Sequence, residues 1–309
     1  MTGGRVVITG ASGFVGRNVL LRAPREWDIV ALYHQATDFP AFLQRHGLSH
    51  VRALRADLAD PADAQRVGAA LGGGGWRGLY LAANSDPTVS ARDPAADLRA
   101  NAGAMVNFLE HCPTEHLVFF SSGAVYDGLV GDVTPASAVD PVLPYAISKL
   151  ASERYLRFYA AHRGAPASYV IVRFFGAYGP YEPPRKVTTR WLRALASGQR
   201  EFVVRGDGKN LIDFMYVDDA VDGTLRLLDA RDARLTVDFA SGAPVTIDAL
   251  METMAATLGV SVSVRHDGAT AEYVRFRSVD ATMRERFGVV PSTPLEKGLQ
   301  QLRAFLAKP

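Results

Sequence analysis

Short hydrophobic runs alternate with amphipathic segments from the N-terminus to about residue 178. The runs are residues 6–8, 28–34, 51–54, 79–83, 116–120 and 168–174, and most are rich in the β-branched and aromatic side chains typical of strands. Longer segments with helical periodicity separate these runs. The alternation predicts an α/β fold, a doubly wound parallel sheet of the Rossmann type with helices on both faces.

The pattern loosens after Tyr178, where a turn-rich stretch leads into a predicted helix at residues 189–197. Residues 211–217 and 236–240 then look like strands that return to the sheet. We therefore predict a dinucleotide-binding domain of residues 1–178, to which 206–240 return, and a smaller cap of residues 179–205 and 241–309. Because ligands of open α/β sheets bind beyond the carboxyl ends of the strands, the cap is expected there, over the substrate.

A glycine-rich turn directly follows the first hydrophobic run. Gly10, Gly13 and Gly16 stand three residues apart between a predicted strand and a predicted helix. The first glycine permits a tight turn, the second lets the backbone approach a phosphate, and the third lets the helix pack closely on the strand. The N–H groups at the start of that helix face an anion. This context predicts a dinucleotide site.

The composition narrows the range of partners. A chain of 309 residues with 48% hydrophobic residues can bury a large core, and a formal net charge of +2 gives no reason to expect nucleic acid or a membrane surface. The single cysteine, Cys112, excludes an internal disulfide and a cysteine-based metal cluster, so no metal site is predicted.

No apolar run reaches ~18 residues and a predicted strand begins almost at the N-terminus, so neither a transmembrane helix nor a signal peptide is expected. A cytoplasmic location is the default expectation.

Tyr145 and Lys149 lie four residues apart, on one face of a helix that Pro144 is suited to begin. An ammonium beside a phenol favours the phenolate and lowers the tyrosine pKa from its reference value of ~10. Such a tyrosine can take a proton from an alcohol while hydride leaves the carbon. Ser122 ends a predicted strand and can hydrogen-bond the same oxygen. An isolated pair of this kind is usually a surface pair, but the glycine turn, Ser122 and the pair together favour an active site.

These segments make the chain resemble the NAD-dependent epimerase/dehydratase family, extended short-chain dehydrogenases/reductases that act mainly on nucleotide sugars. The matching segments are residues 9–16, 81–83, 121–126 and 144–149, together with Asn101. The resemblance implies that Ser122, Tyr145 and Lys149 are catalytic and that Lys149 also holds the nicotinamide ribose. The cofactor-binding residues that it implies are Gly10, Ser12, Gly13, Phe14, Val15, Gly16, His34, Asp57, Leu58, Leu81, Ala82, Ala83, Asn101, Tyr145 and Lys149.

Two departures from the family pattern narrow the reaction. The 4,6-dehydratases of the family carry an Asp-Glu pair directly after the catalytic Ser or Thr, whereas this chain has Gly123 and Ala124, which cannot transfer protons. The 3,5-epimerases use a cysteine, but Cys112 lies in a predicted helix and is expected to be a small buried residue. With dehydration and 3,5-epimerisation disfavoured, the reaction expected is hydride transfer at one carbon.

Other departures concern the substrate and the cofactor. An asparagine and an arginine that usually hold the sugar diphosphate are replaced by Gly176 and Ile212. We expect Arg185, Arg190 and Arg275 to bind the substrate instead, together with Ser122 and Gly123, since guanidinium groups suit phosphate. The alternative is that these arginines lie on a face exposed to solvent.

The choice of dinucleotide depends on His34, which stands where NAD-specific relatives have an acid. The absence of this acid slightly favours NADP over NAD, and Arg17 is expected to assist His34.

The sequence leaves three functions open. The preferred one is a nucleotide-sugar epimerase that works through a keto intermediate, and its nearest rival is an NADPH-dependent reductase of a 4-keto sugar. A dinucleotide-sensing protein without catalysis is the rival from another class. A homodimer is expected, because residues 101–111 and 146–160 carry apolar faces where the family dimerises. These faces contain Met105, Phe108, Leu150, Tyr155 and Phe158.

Overall fold

A computed structural model describes residues 4–268 and 274–307 of the protein, so the parts of the predicted units that fall on residues 1–3, 269–273 and 308–309 lie outside it. The strands in chain order are β1 (Arg5–Thr9), β2 (Asp28–Tyr33), β3 (Val51–Arg55), β4 (Trp76–Tyr80), β5 (Thr114–Ser122), β6 (Val130–Val133), β7 (Ser168–Phe174), β8 (Ala177–Tyr178), β9 (Glu201–Val204), β10 (Leu211–Ile212), β11 (Met215–Tyr216), β12 (Arg234–Phe239), β13 (Val245–Thr246), β14 (Ser263–His266) and β15 (Arg275–Ser278).

Helices connect and cover these strands. The helices are α1 (Phe14–Arg22), α2 (Phe39–Arg45), α3 (Pro61–Leu71), α4 (Pro87–Arg92), α5 (Pro94–Leu98), α6 (Ala104–His111), α7 (Pro144–His162), α8 (Val187–Ala196), α9 (Val217–Asp229), α10 (Ile247–Leu258), α11 (Thr282–Phe287) and α12 (Leu295–Leu306). A π-helical turn, Arg99–Gly103, joins α5 to α6, and a 3-10 turn, Gly123–Tyr126, follows β5.

The main sheet has seven strands in the order β3-β2-β1-β4-β5-β7-β12, and every neighbouring pair is parallel. The chain moves outward from β1 to one edge, returns, and continues from β4 to the other edge. The doubly wound Rossmann fold expected from the sequence is therefore confirmed. The order changes direction between β1 and β4, where such sheets bind their ligands.

The sheet separates two hydrophobic layers. Within β1, Val6 and Ile8 belong to one buried cluster and Val7 to the other, as the alternation of side chains along a strand requires. Met105 and Phe108, which we expected on a dimerising face, are fully buried in the second layer. That expectation was wrong for these two residues, because the apolar side of α6 packs on the sheet.

Two strand predictions need correction. β4 is Trp76–Tyr80 and not residues 79–83, since Gly78 and the buried Arg77, which pairs with Asp229, hide its first half in the sequence pattern. Residues 211–217 do not return to the main sheet. They form β10, which pairs with β13, and β11, which pairs with β8, and α9 begins at Val217. The expected return of residues 236–240 is confirmed by β12 at the edge of the sheet.

Within residues 4–268 and 274–307, none of the helices combines the length and the apolar character that crossing a membrane requires.

Candidate active site

The glycine turn leaves β1 in a conformation that only glycine adopts readily. Gly10 has φ +64°, and a Cβ there would lie 2.8 Å from the backbone nitrogen of Ala82. A Cβ on Gly16 would lie 2.6 Å from the carbonyl oxygen of Gly10, so this glycine lets α1 approach the turn. The first and third glycines thus have the packing roles that the sequence predicted.

Gly13 differs from these two, because its backbone would accept any residue. It has φ −78° and ψ −179°, and a Cβ there would meet only the carbonyl oxygen of Gly10, at 3.1 Å. Gly13 is exposed and caps α1 without a side-chain hydrogen bond to the first N–H groups of the helix. An open backbone surface therefore faces outward at the start of α1, with Ser12, Phe14 and Val15 half-buried around it. These features fit a dinucleotide pyrophosphate.

The segment after β4 is attached to the glycine turn by Thr9. The buried Thr9 hydroxyl accepts hydrogen bonds from the backbone N–H groups of Leu81 (3.1 Å) and Ala82 (3.0 Å). Leu81, Ala82 and Ala83 therefore lie at the carboxyl edge of the sheet beside Gly10, as the sequence predicted for cofactor-binding residues. The predicted strand therefore ended three residues too late, and the contact of Leu81, Ala82 and Ala83 with a cofactor stays a prediction.

Ser122 is the last residue of β5, the strand next to β4, and its hydroxyl accepts a hydrogen bond from the N–H of Ala124 at 3.1 Å. The side chain of Tyr145 lies close enough to Ser122 for the serine hydroxyl to lower the pKa of the phenol. Tyr145 stands in the first turn of α7, which begins at Pro144 as expected and packs on β5. The structure thus brings together the two hydroxyls that the sequence assigned to catalysis, at the same edge of the sheet as the glycine turn.

Lys149 is buried beside this pair but does not make the phenol acidic. Its Nζ donates a hydrogen bond to the carbonyl oxygen of Phe120 at 2.6 Å and lies 4.5 Å from the centre of the Phe119 ring. The pKa of Tyr145 is raised, chiefly by burial and further by the charge of Asp97, although the Ser122 hydroxyl acts in the opposite direction. The lowered tyrosine pKa that we expected was therefore wrong for the protein alone.

Asn101 joins three elements below the catalytic pair. Its carboxamide nitrogen donates to Ser148 (2.9 Å) of α7 and to Asp97 (3.0 Å) of α5, and its oxygen accepts from the N–H of Asn84 at 2.8 Å. Ser148 in turn donates to the carbonyl oxygen of Tyr145 at 3.0 Å. Asn101 therefore supports the catalytic helix, and its contact with cofactor stays a prediction.

Sequence reasoning missed two buried carboxylates in this region. Asp97 stands four residues before Asn101, and Glu153 stands four residues after Lys149, so each shares a helical face with a predicted site residue. Glu153 accepts a hydrogen bond from Ser121 at 2.6 Å and forms a buried ion pair with Arg173 at 3.0 Å. The four-residue spacing was the signal that could have found both.

At the other end of the predicted cofactor site, His34 follows β2 and its Nε2 lies 3.7 Å from a carboxylate oxygen of Asp57. Leu58 has its side chain in the hydrophobic core. Arg17, expected to assist His34, donates from Nη2 to both carboxylate oxygens of Asp38, at 2.8 and 2.9 Å, and from Nε to the carbonyl oxygen of Ser12. Its charge is therefore already paired, because its neighbour on the α2 side is an acid.

The predicted substrate-binding residues are spread over several elements. Arg185 reaches the segment after β4, with its Nε 3.5 Å from a carboxylate oxygen of Asp86 and its Nη2 3.4 Å from the hydroxyl of Ser85. Arg190 lies at an exposed position of α8, and Arg275 at an exposed position of β15. Gly123 is buried beneath the ring of Phe175, which a Cβ on Gly123 would approach to 3.2 Å. Only Arg185 is shown beside the loop that borders the catalytic edge.

Comparison with known proteins points to one family. The family model described as the NAD dependent epimerase/dehydratase family matches residues 6–238. The chain is similar to UDP-glucuronate 4-epimerase 1 of Arabidopsis thaliana, with 28% identity over 96% of this chain and 75% of that protein. It is 24% identical to the probable GDP-L-fucose synthase 1 of Oryza sativa subsp. japonica, over 96% of this chain and 90% of that one.

The fold matches solved structures over nearly its whole length. One is the UDP-glucuronic acid 4-epimerase of Bacillus cereus, solved with UDP-glucuronic acid and NAD, with a TM-score of 0.86 and 21% identity over 98% of both chains. At this identity the likeness shows that the two proteins share the Rossmann fold.

Proposed function

Because the chain belongs to the NAD-dependent epimerase/dehydratase family, we propose that it is a nucleotide-sugar epimerase that inverts one carbon by transient hydride transfer. The observation that carries this proposal is the neighbouring pair of Ser122 and Tyr145 at the carboxyl edge of the sheet, with Lys149 buried on the same helix as Tyr145. Its 4-epimerase relative in Arabidopsis supports the reaction type.

In this proposal Tyr145 is the general base and acid. As the phenolate it takes the proton of a sugar hydroxyl and becomes the phenol, and it later returns that proton, while Ser122 donates a hydrogen bond to the same sugar oxygen. When bound, the dinucleotide supplies the hydride acceptor and, in its oxidised form, a positive charge. Lys149 lies one turn further along α7, and in this proposal its positive charge favours the phenolate once the dinucleotide is bound, since the phenol is not acidic in the protein alone. Gly123 and Ala124 offer no proton-transferring group, so elimination of water is disfavoured.

Retention of the dinucleotide distinguishes an epimerase from a reductase. An epimerase regenerates its cofactor within each turnover, whereas a reductase, which the fucose synthase relative keeps as the second candidate, must release it. We expect the purified protein to carry near-stoichiometric dinucleotide, measured by mass spectrometry of the denatured supernatant. Protein that is purified without bound dinucleotide and that consumes reduced dinucleotide with a 4-keto sugar would establish the reductase instead.

The third candidate is a dinucleotide sensor without catalysis. The presence of Ser122, Tyr145 and Lys149 together argues against it.

We propose NAD as the dinucleotide, although the sequence analysis slightly favoured NADP. Arg17 is paired with Asp38, and His34 lies beside the carboxylate of Asp57. A 2′-phosphate would therefore meet two acids and no unpaired guanidinium from Arg17, whereas ribose hydroxyls can donate to a carboxylate.

Titration of the protein with the two dinucleotides tests this choice. We expect NADP to bind about tenfold more weakly than NAD or worse, a difference of ~1.4 kcal/mol. Asp57→Asn should narrow the gap, since it removes one of the two negative charges. Equal affinities, or tighter binding of NADP, would restore the preference drawn from the sequence.

We propose that Arg185 contacts an anionic part of the substrate. The asparagine and arginine that usually hold the diphosphate are Gly176 and Ile212 here, while Arg185 lies at the segment that follows β4. Its side chain is 45% exposed, and its contacts with Ser85 and Asp86 are long, so a substrate anion can replace them.

Arg185→Ala should raise the KM of the nucleotide sugar about tenfold and leave kcat within a few-fold, since a charge-assisted hydrogen bond contributes roughly 1.5–3 kcal/mol. Arg190→Ala and Arg275→Ala, measured in the same assay, show whether these two residues contribute. Unchanged KM values in all three variants would show that Arg185, Arg190 and Arg275 are exposed to solvent and do not bind the substrate.

We propose that the protein dimerises through the exposed side of α7 and the end of α5. Ile147, Tyr155 and Phe158 lie along one side of α7 and are 46–47% exposed, and Leu98 of α5 is 54% exposed.

Phe158→Glu is expected to convert a dimer to a monomer in size-exclusion chromatography with light scattering, because it would bury a charge in an apolar contact. Wild-type protein of monomer mass would remove the proposal.

We also propose that the predicted cap, residues 179–205 and 241–309, closes over the substrate. Its two described segments are joined by the pairing of β9 with β14, and β10 adds residues 211–212 to this region through β13. The cytoplasmic location expected from the sequence stays a prediction.

A further inference from the structure

Asp97 is a buried carboxylate that no step of the proposed reaction uses. It is 1% exposed, and its Oδ1 accepts hydrogen bonds from Ser90 (2.6 Å), Asn84 (3.0 Å) and Asn101 (3.0 Å). Its Oδ2 is buried and finds no hydrogen-bond partner among the residues that the structure describes. A buried carboxylate oxygen without a hydrogen-bond donor lowers the stability of the folded protein. Stability therefore does not explain why an aspartate stands at this position.

The surroundings of Asp97 connect it to the catalytic helix. α5 packs against α7, and Asn101 joins Asp97 to Ser148 in the turn that holds Tyr145 and Lys149. The charge of Asp97 acts on both Tyr145 and Lys149. The three donors to Asp97 are neutral groups, so its negative charge is not compensated locally.

Lys149 needs such a charge because it is almost fully buried. Burial lowers the pKa of Lys149 to about 7, and the carboxylates of Glu153 and Asp97 oppose this effect. Glu153 has the larger effect of the two, and it is also bound by the guanidinium of Arg173. Asp97 has no cationic group among its hydrogen-bond donors, and its charge adds to that of Glu153. The groups that act on Lys149 or contact it in the described structure are Asp97 from α5, Glu153 with its partner Arg173, and the uncharged Phe119 and Phe120 of β5, while Tyr145 lies one turn away on α7.

We propose that Asp97 is a positioning residue of the active site, whose buried negative charge favours the ammonium form of Lys149 on the helix that carries Tyr145. This inference rests on the proposed roles of Tyr145 and Lys149. The same charge makes the phenolate of Tyr145 harder to form, so Asp97 favours the protonated form of both groups. Its removal should therefore shift both titrations to lower pH.

The test follows the ionisation of Lys149 directly and needs neither substrate nor cofactor. The chain has five lysines, so NMR of 13C-labelled lysine side chains gives few signals, and loss of one signal in Lys149→Met assigns it. In Asp97→Asn, the titration of Lys149 should move to lower pH by about one pH unit. The pH profile of turnover, once an assay is in hand, should move in the same direction.

Two further variants make the result decisive. Asp93→Asn removes an exposed carboxylate that caps the same helix through the N–H of Ala96, and it should leave the Lys149 titration unchanged. Ser90→Ala removes the donor with the shortest bond to Asp97, weakens the carboxylate form and should move the Lys149 titration in the same direction by less. If Asp97→Asn does not fold, Ser90→Ala decides alone. Unchanged Lys149 titration in the folded variants would overturn the inference and leave the proposed epimerase activity standing.

Discussion

Replacement of Tyr145 by phenylalanine is expected to lower kcat for the nucleotide sugar by roughly 10²–10⁴-fold, the usual contribution of a general acid–base group. The phenyl ring keeps the packing of Tyr145 in the first turn of α7, so the variant should fold and bind dinucleotide normally. The loss then falls on proton transfer, because the Ser122 hydroxyl that remains serves in the proposed reaction only as a hydrogen-bond donor to the sugar oxygen.

Tyr155→Phe is the matched control, since it removes a hydroxyl from an exposed tyrosine of the same helix. Its kcat should equal that of the wild type. Ser122→Ala should cost less than Tyr145→Phe, because the phenol remains. If Tyr145→Phe stayed within a few-fold of wild-type turnover, another group would have to move the proton.

The second large effect is expected at Gly13. Gly13→Ala should weaken NAD binding by about 100-fold, or ~2.7 kcal/mol, while the melting temperature stays close to that of the wild type. The backbone dihedral angles of Gly13 suit alanine, and the added methyl group would meet the carbonyl oxygen of Gly10 at 3.1 Å, a tight contact that a shift of a few tenths of an ångström relieves. The methyl group would instead occupy the exposed surface where a phosphate approaches the helix N-terminus.

Gly16→Ala gives the contrasting control. Its Cβ would lie 2.6–2.7 Å from backbone atoms of Gly10 and Ala11, so the variant should lose roughly 1–3 kcal/mol of stability. We therefore expect Gly13→Ala to lower the affinity for NAD with little change in stability, and Gly16→Ala to lower the stability of the protein. Wild-type affinity for NAD in Gly13→Ala would show that the dinucleotide lies elsewhere.

The sequence predicted the parts of the site that depend on local pattern. The glycine turn, the serine at the end of β5 and the Tyr145 helix begun by Pro144 each follow from a few neighbouring residues, and the structure has all three. The course of residues 211–217 was missed, because short pairings such as β10 with β13 depend on partners far along the chain.

Electrostatics could not be derived from spacing. Four residues separate Tyr145 from Lys149, which places both on one face, but burial and the carbonyl of Phe120 decide what the ammonium contacts. In the same way, the pairing of Arg17 with Asp38 depends on where α2 lies, and this pairing occupies the guanidinium that was expected to assist His34.

In the proposed reaction, hydride leaves one sugar carbon and returns to its other face within a single active site that contains Tyr145. UDP-hexoses deuterated at the carbon to be inverted, supplied with NAD and followed by NMR, test this step. We expect a product of inverted configuration that retains the deuterium at that carbon, with no net change in the dinucleotide. Inversion with loss of the label to solvent, or no inverted product from any UDP-hexose while NAD binds, would contradict it.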